Sequence, residues 1–279
     1  MARFGQGVAL SDEEVDEAEE RALPRAAIVF ETIRREGEGE LERSLPSLAF
    51  SGVAAGLSMG FSLFTTAVLH AALPDAPWRP LVENFGYTIG FLIVILGRQQ
   101  LFTENTLTPI LVLLNSFDRD TFMRVLRLWL IVLVANIVGA FAFAALLAHV
   151  HVFGPELTNA FADLARSAAS MDPQAVLVRG VYAGWLIALM VWLLPAAETA
   201  SIWIIVILTY IVGAAQLAHI IAGSVDVLYA VEIGAAGWAD FWLRFFLPVF
   251  AGNCIGGVTF VALLNFGQVA GDARGNKSS

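Results

Sequence analysis

The chain predicts an all-α fold: six membrane spans built as two inverted repeats of three, with the second and fifth helices broken. Three observations lead there. The 279 residues are 58% hydrophobic and only 15% charged, with a mean hydropathy of +0.72. A soluble domain carries about 25% charge, so the apolar excess belongs in lipid. The run Ala135 to Leu147 recurs as Gly252 to Leu264, 117 residues later. In it Asn136 matches Asn253, Gly139 matches Gly256 and Phe143 matches Phe260. A duplicated half in an apolar chain marks a transporter or channel made of internal repeats. Finally, polar residues interrupt the apolar run in the second and fifth spans.

Residues 1–45 read as an acidic cytoplasmic tail. Ser11 with Glu14 forms a capping box opening a helix to about Ala22. Pro24 then starts a second helix, with Ala26, Val29, Phe30 and Ile33 at helical spacing, lying along the membrane face. No cleavable signal peptide is expected, because these residues lack an apolar core. The net charge of −9 sits mostly in this tail. The channel domain is expected over 46–267, with repeats at about 46–150 and 174–267.

Its spans are placed at Pro46–Leu73, Glu83–Asn115, Thr121–Val150, Gln174–Pro195, Thr199–Val231 and Phe241–Gly267. Residues 268–279 read as a disordered tail. Arg and Lys are concentrated on one side (Arg21 to Arg43, Arg119, Arg124, Arg127, Arg274, Lys277). Both termini are therefore expected in the cytoplasm, the chain being a multi-pass protein of a bacterial inner membrane. An odd number of spans per repeat inverts the second half. Rows of glycine at four-residue spacing (Gly52/Gly56/Gly60, Gly86/Gly90, Gly180/Gly184, Gly252/Gly256) let helices approach closely. The lone cysteine, Cys254, excludes a disulfide framework.

The second span breaks at Leu101 to Pro109 and the fifth at Leu217 to Val227. Carrying the 117-residue offset, Phe102 falls on His219. Glu83 to Asn115 is too long for one straight span, and Pro109 cannot donate to the carbonyl of Asn105. Unpaired backbone in lipid is costly, so two such breaks converge on one polar site at mid-depth. Each second half-helix begins there, with its positive dipole end inward. Thr103 or Asn105 is the expected cap for one, Ser224 for the other. His219 is the histidine placed at mid-depth, a proton-exchanging candidate. Glu104 complements a half-helix dipole. Arg98 is the expected partner of Glu104 or of Asp226.

Leu101-Phe102-Thr103 in a broken second span, with a mid-membrane histidine in a broken fifth, resembles the formate/nitrite transporter family. The run Gly97 to Pro109 is similar to its YfdC-like branch. The resemblance spans about residues 45–267. It implies an aquaporin-like protomer, a homopentamer with one pore per subunit, and passage of formate, nitrite or hydrosulfide with protonation at the histidine. It implies Leu101 and Phe102 as an outer hydrophobic constriction, Thr103 as the loop residue that meets the histidine, and Leu217 at a pore-narrowing position. It implies no cofactor, metal or nucleic-acid partner.

Two other readings compete. The same fold can pass a neutral or cationic solute, which Glu104 favours. Gly56 to Gly60 also fits G-x-S-x-G, so Ser58 with His219 reads as an intramembrane serine-hydrolase dyad, although the motif sits in a glycine-stacked helix where a strand–turn–helix elbow is required. The main reading is of a non-enzyme.

Overall fold

The computed structural model describes residues 24–275, all helix, turn and loop. The capping box at Ser11 and Glu14 lies outside them. An amphipathic helix, Ala26–Glu42, precedes the first span, Leu45–Ala72. Ser44 Oγ accepts the Ser47 N–H (3.4 Å) and Pro46 occupies the first turn, fixing where the span starts. The second span comprises Arg79–Glu83, Thr88–Leu96 and, after a loop, Thr108–Ser116. The third, Arg119–His149, is capped by Asp118, whose carboxylate accepts the Thr121 N–H at 2.9 Å. The fourth, Pro173–Leu193, is capped by Asp172. The fifth comprises Ser201–Ala214 and Ile220–Glu232. The sixth runs Asp240–Gly271 and widens into π-helical turns at Asp240–Phe246 and Ile255–Leu263.

The glycine rows explain the pairing of spans. A Cβ on Gly56 would strike the Asn136 carbonyl oxygen, and one on Gly184 the Asn253 carbonyl oxygen. Gly139 meets Val53 and Gly256 meets Val181 in the same way. First packs on third, and fourth on sixth, backbone against backbone, the arrangement small residues permit in lipid. The repeated halves therefore build the same helix pair twice, with opposite direction.

The breaks share a design that the 117-residue offset misses by one. Arg98 (φ 52°) and Gln216 (φ 51°) are both left-handed, 118 residues apart. At each, the N–H of the following residue returns five residues, Gln99 to the Val94 carbonyl (3.0 Å) and Leu217 to the Val212 carbonyl (2.9 Å). This is a Schellman ending made without glycine, a costly conformation that only surrounding packing sustains. Leu101, not Phe102, is thus the counterpart of His219.

Two expectations need correction, the place of the break in the fifth span and the disordered C-terminal tail. The fifth span is interrupted at Ala215–His219, and Gly223, Ser224 and Asp226 lie within a regular half-helix. The segment between the third and fourth spans holds a helix, Pro155–Ala169, whose Phe161 packs on Phe64, Phe153 and Tyr229. The C-terminal residues expected to be disordered from 268 onward continue the sixth helix, Leu264–Gly275. The N-terminal helix returns to this end through Phe30 and Phe266, ring centroids 6.0 Å apart.

Candidate pore and its two vestibules

One asparagine anchors each break. Asn136 Oδ1 accepts the Phe102 N–H (2.9 Å), while its amide donates to the carbonyls of Gly52 and Gln100 (2.8 Å each). Asn253 repeats the pattern: it accepts the Ile220 N–H (2.9 Å) and donates to Gly180 (2.8 Å) and Ala218 (2.9 Å). Both are fully buried. Each satisfies backbone groups that a broken helix leaves unpaired in an apolar surrounding. The matched asparagines were visible in the repeated run; their partners were not.

His219, not Ser224, caps the second half-helix of the fifth span. Its Nδ1 accepts the N–H groups of Ile221 (3.3 Å) and Ala222 (3.2 Å). Ser224 Oγ donates back to the Ile220 carbonyl (2.5 Å). Because Nδ1 accepts, the neutral ring carries its proton on Nε2. That nitrogen lies 2.8 Å from Thr103 Oγ1, which accepts it and keeps its own hydroxyl proton free to donate. Thr103 therefore does not cap the second span. Nor does Asn105 cap through its side chain: its Nδ2 donates to Gln100 Oε1 (3.1 Å) and its Oδ1 faces Thr108 Oγ1 (3.4 Å). Thr108–Ser116 has no side-chain cap. Phe91, which sequence reasoning missed, meets the imidazole edge-on at 4.9 Å. With both ring nitrogens taken, Ser58 is not a partner of His219, and its flanking glycines pack on the third span.

Two cavities flank this centre. The near one, beside the N-terminal helix, measures about 590 Å³ and is lined by Glu36, Glu40, Arg98, Gln100, Glu104 and Thr108 among others. The far one, about 180 Å³, reaches His219, Leu217, Tyr87 and Asp226 and is roofed by the helix Pro155–Ala169. Gln100 and Glu104 line the near vestibule, and Thr103 touches His219 in the far one. The segment Leu101 to Thr103, fully buried, is therefore the partition between them. The Phe102 ring is wedged between Trp129 (5.4 Å) and Phe250 (5.5 Å). Leu217 lines the far vestibule.

The expected Arg98 pairs do not form. Arg98 reaches Glu36 of the N-terminal helix (3.4 Å), and the partition separates it from Asp226. Glu104 faces the near vestibule, with Oε1 buried and unpartnered.

The N-terminal helix holds the loop at three more points. Glu40 accepts from Gln100 Nε2 (3.2 Å) and Thr108 Oγ1 (2.7 Å). Gly37 has no room for a Cβ, which would fall on the Thr108 carbonyl. Burial pushes the Glu40 carboxyl above the usual carboxylate range. On the far face, His149 pairs with Glu232 (2.7 Å) and His70 with Glu83 (2.9 Å).

Inverted repeats whose interrupted helices meet at one buried imidazole, between two vestibules, define a membrane channel or transporter protomer. A family model described as formate/nitrite transporter matches residues 27–267. The inner membrane protein YfdC of Escherichia coli is 39% identical over 266 residues, covering 95% of this chain and 85% of that protein. The formate channel BtFdhC of Bacillus thuringiensis is 26% identical, over 85% of this chain and 93% of that one. Among solved structures, an FNT family ion channel superposes with a TM-score of 0.76 at 20% identity, over 85% of this chain and 97% of that one. A pentameric formate channel with formate bound gives 0.65 at 17% identity, over 84% and 97%. This chain belongs to the formate/nitrite transporter family.

Proposed function

We propose that this protein carries a small monovalent anion, or its conjugate weak acid, across a bacterial inner membrane, with protonation assisted by His219. The solute is of the formate, nitrite or hydrosulfide class. The active form is a homopentamer with one pore per subunit and with both termini cytoplasmic. The observation that carries the reading is the Thr103–His219 contact at the partition between the vestibules. The formate channels among its relatives and structural neighbours support the solute class, and one of those neighbours is a pentamer.

The chemistry follows from the tautomer. A second proton on His219 must enter at Nδ1, which costs the half-helix its cap. The imidazolium is therefore a transient, stabilised when an anion stands beside Thr103. It relaxes by passing the Nε2 proton to Thr103 as the threonine hydroxyl proton moves to the anion, and the resting ring returns when Nε2 takes a proton from the vestibule and Nδ1 releases its own and caps the half-helix again. The neutral acid leaves, and one proton has travelled with the anion. The buried side chains of Leu101 and Phe91 around this point disfavour a bare ion, which loses its hydration there. Glu104, Asn105, Arg98 and Asp226 act as supporting groups of the path.

Formate flux into proteoliposomes tests this. The protein should accelerate uptake over empty vesicles, faster as pH falls, and His219→Phe should remove the pH dependence. Unchanged pH-dependent transport in that variant eliminates the histidine's role.

A further inference from the structure

The far vestibule is lined by hydrogen-bonding groups that the protein itself leaves unused. Thr66, on the first span, is only 6% exposed, yet its Oγ1 has no hydrogen-bond partner, and the side chain lines the vestibule. A buried hydroxyl without a partner is costly, and the large majority in folded proteins are satisfied. Tyr87, on the second span, lines the same space, and among the described residues its hydroxyl meets no acceptor. The two are neighbours. Ser62 Oγ, one turn before Thr66, donates to the Tyr87 carbonyl (2.7 Å). A Cβ on Gly86 would fall 2.5 Å from the Thr66 nitrogen, so the two spans touch backbone to backbone at this level. Asp226, on the fifth span, lines the vestibule too, without a hydrogen bond or ion pair among the described residues. A carboxyl enclosed without a partner is least costly as the neutral acid, which donates one hydrogen bond and carries no charge to repel an anion. The other lining carboxylate, Glu83, is paired with His70 (2.9 Å) and Arg79 (3.6 Å). From Tyr87 the path runs inward along one helix face: its ring meets Phe91, one turn on, at 5.5 Å, and Phe91 meets His219 at 4.9 Å.

We infer that the far vestibule is a second solute site, where the hydroxyls of Thr66 and Tyr87, with the Asp226 acid, bind a small oxyanion before it reaches Thr103 and His219. This rests on the proposed function and deepens it by locating where the anion waits. Three neutral donors from three different spans face one space of about 180 Å³. An oxyanion such as formate presents two acceptor oxygens, which suits hydroxyls set on separate helices. Neutral donors replace part of the ion's hydration shell without locking it in place, and conduction needs binding weak enough to be reversed.

The test uses the full-length protein in proteoliposomes, with formate as the probe and flux measured against formate concentration. Wild type should saturate. Thr66→Val and Tyr87→Phe each remove one hydroxyl at nearly constant shape. Each should raise the half-saturating formate concentration roughly fivefold to tenfold, the loss of one hydrogen bond to a charged acceptor. The effect should appear there more than in the maximal rate, and Thr66→Ser, which keeps the hydroxyl, should restore the wild-type value. A merely structural threonine would instead lower the amount of assembled protein and leave the half-saturating concentration alone. Thr66→Ala takes the place of Val should that variant not assemble. If either substitution leaves the half-saturating concentration within twofold of wild type, or if wild-type flux shows no saturation, the second site falls while the proposed function stands. Wild type carrying no formate sinks the proposed function and the site with it.

Discussion

The two buried asparagines allow a quantitative test of the repeat. In Asn136→Ala the Phe102 N–H and the Gln100 carbonyl, both in the loop of the second span, lose their partner. In Asn253→Ala the Ile220 N–H and the Ala218 carbonyl do. Each variant therefore strands one buried donor and one buried acceptor of the break, and also removes a bond to a helix carbonyl, Gly52 or Gly180. An unsatisfied buried polar group costs about 1–3 kcal/mol, so each substitution should destabilise the protomer by about 2–5 kcal/mol. Because the stranded groups are the same in kind, the two losses should agree to within about 1 kcal/mol. Denaturant titration in detergent micelles, followed by tryptophan fluorescence, measures both. Flux should fall as well, since Phe102 adjoins Thr103 and Ile220 adjoins His219. A loss below about 1 kcal/mol in either variant would refute the claim that these side chains hold the breaks open.

Other expectations concern packing and the N-terminal helix. Gly56→Ala and Gly184→Ala each drive a methyl into a backbone carbonyl of the partner span and should cost about 1–3 kcal/mol or more. Gly267→Ala, with nothing within 4 Å, should be neutral or stabilise by up to about 1 kcal/mol; the same titration separates them. Glu40 is held above the usual carboxylate range by burial, so its folded state favours the proton. Its contribution to docking of the N-terminal helix is full below the ordinary carboxylate range and is lost as pH rises through the raised value. Hydrogen exchange over Ala26–Glu42 should therefore speed up as pH rises, beyond the intrinsic increase, and Glu40→Gln should remove that excess. A Glu40→Gln protein with the wild-type excess would show that another group holds the helix.

Much of the architecture was legible because lipid imposes few choices. Apolar runs of span length, glycine at four-residue spacing and one repeated asparagine-bearing segment dictate six spans in two inverted halves. Leu101-Phe102-Thr103 and His219 were legible as a pair because each sits where an apolar run is broken, and a break must be satisfied by protein. The cap assignments were not legible. Ser224 has the chemistry of a cap, yet His219 takes the role, because the left-handed turn at Gln216 starts the half-helix at Ile220. Arginine and glutamine rarely adopt that conformation, so the sequence held no signal for the symmetric turns at Arg98 and Gln216.

The sequence alone determined that the chain crosses a membrane, folds back on itself as two inverted copies and breaks two helices near one histidine, since hydrophobic length and repetition are local properties. Only the tertiary structure decided that Arg98 turns to Glu36, that Glu40 latches the loop, and that Glu104 and Asp226 face opposite vestibules across Leu101 to Thr103. Those outcomes depend on which faces meet across the protomer, and charge partners distant in sequence are chosen by packing, not by spacing along the chain.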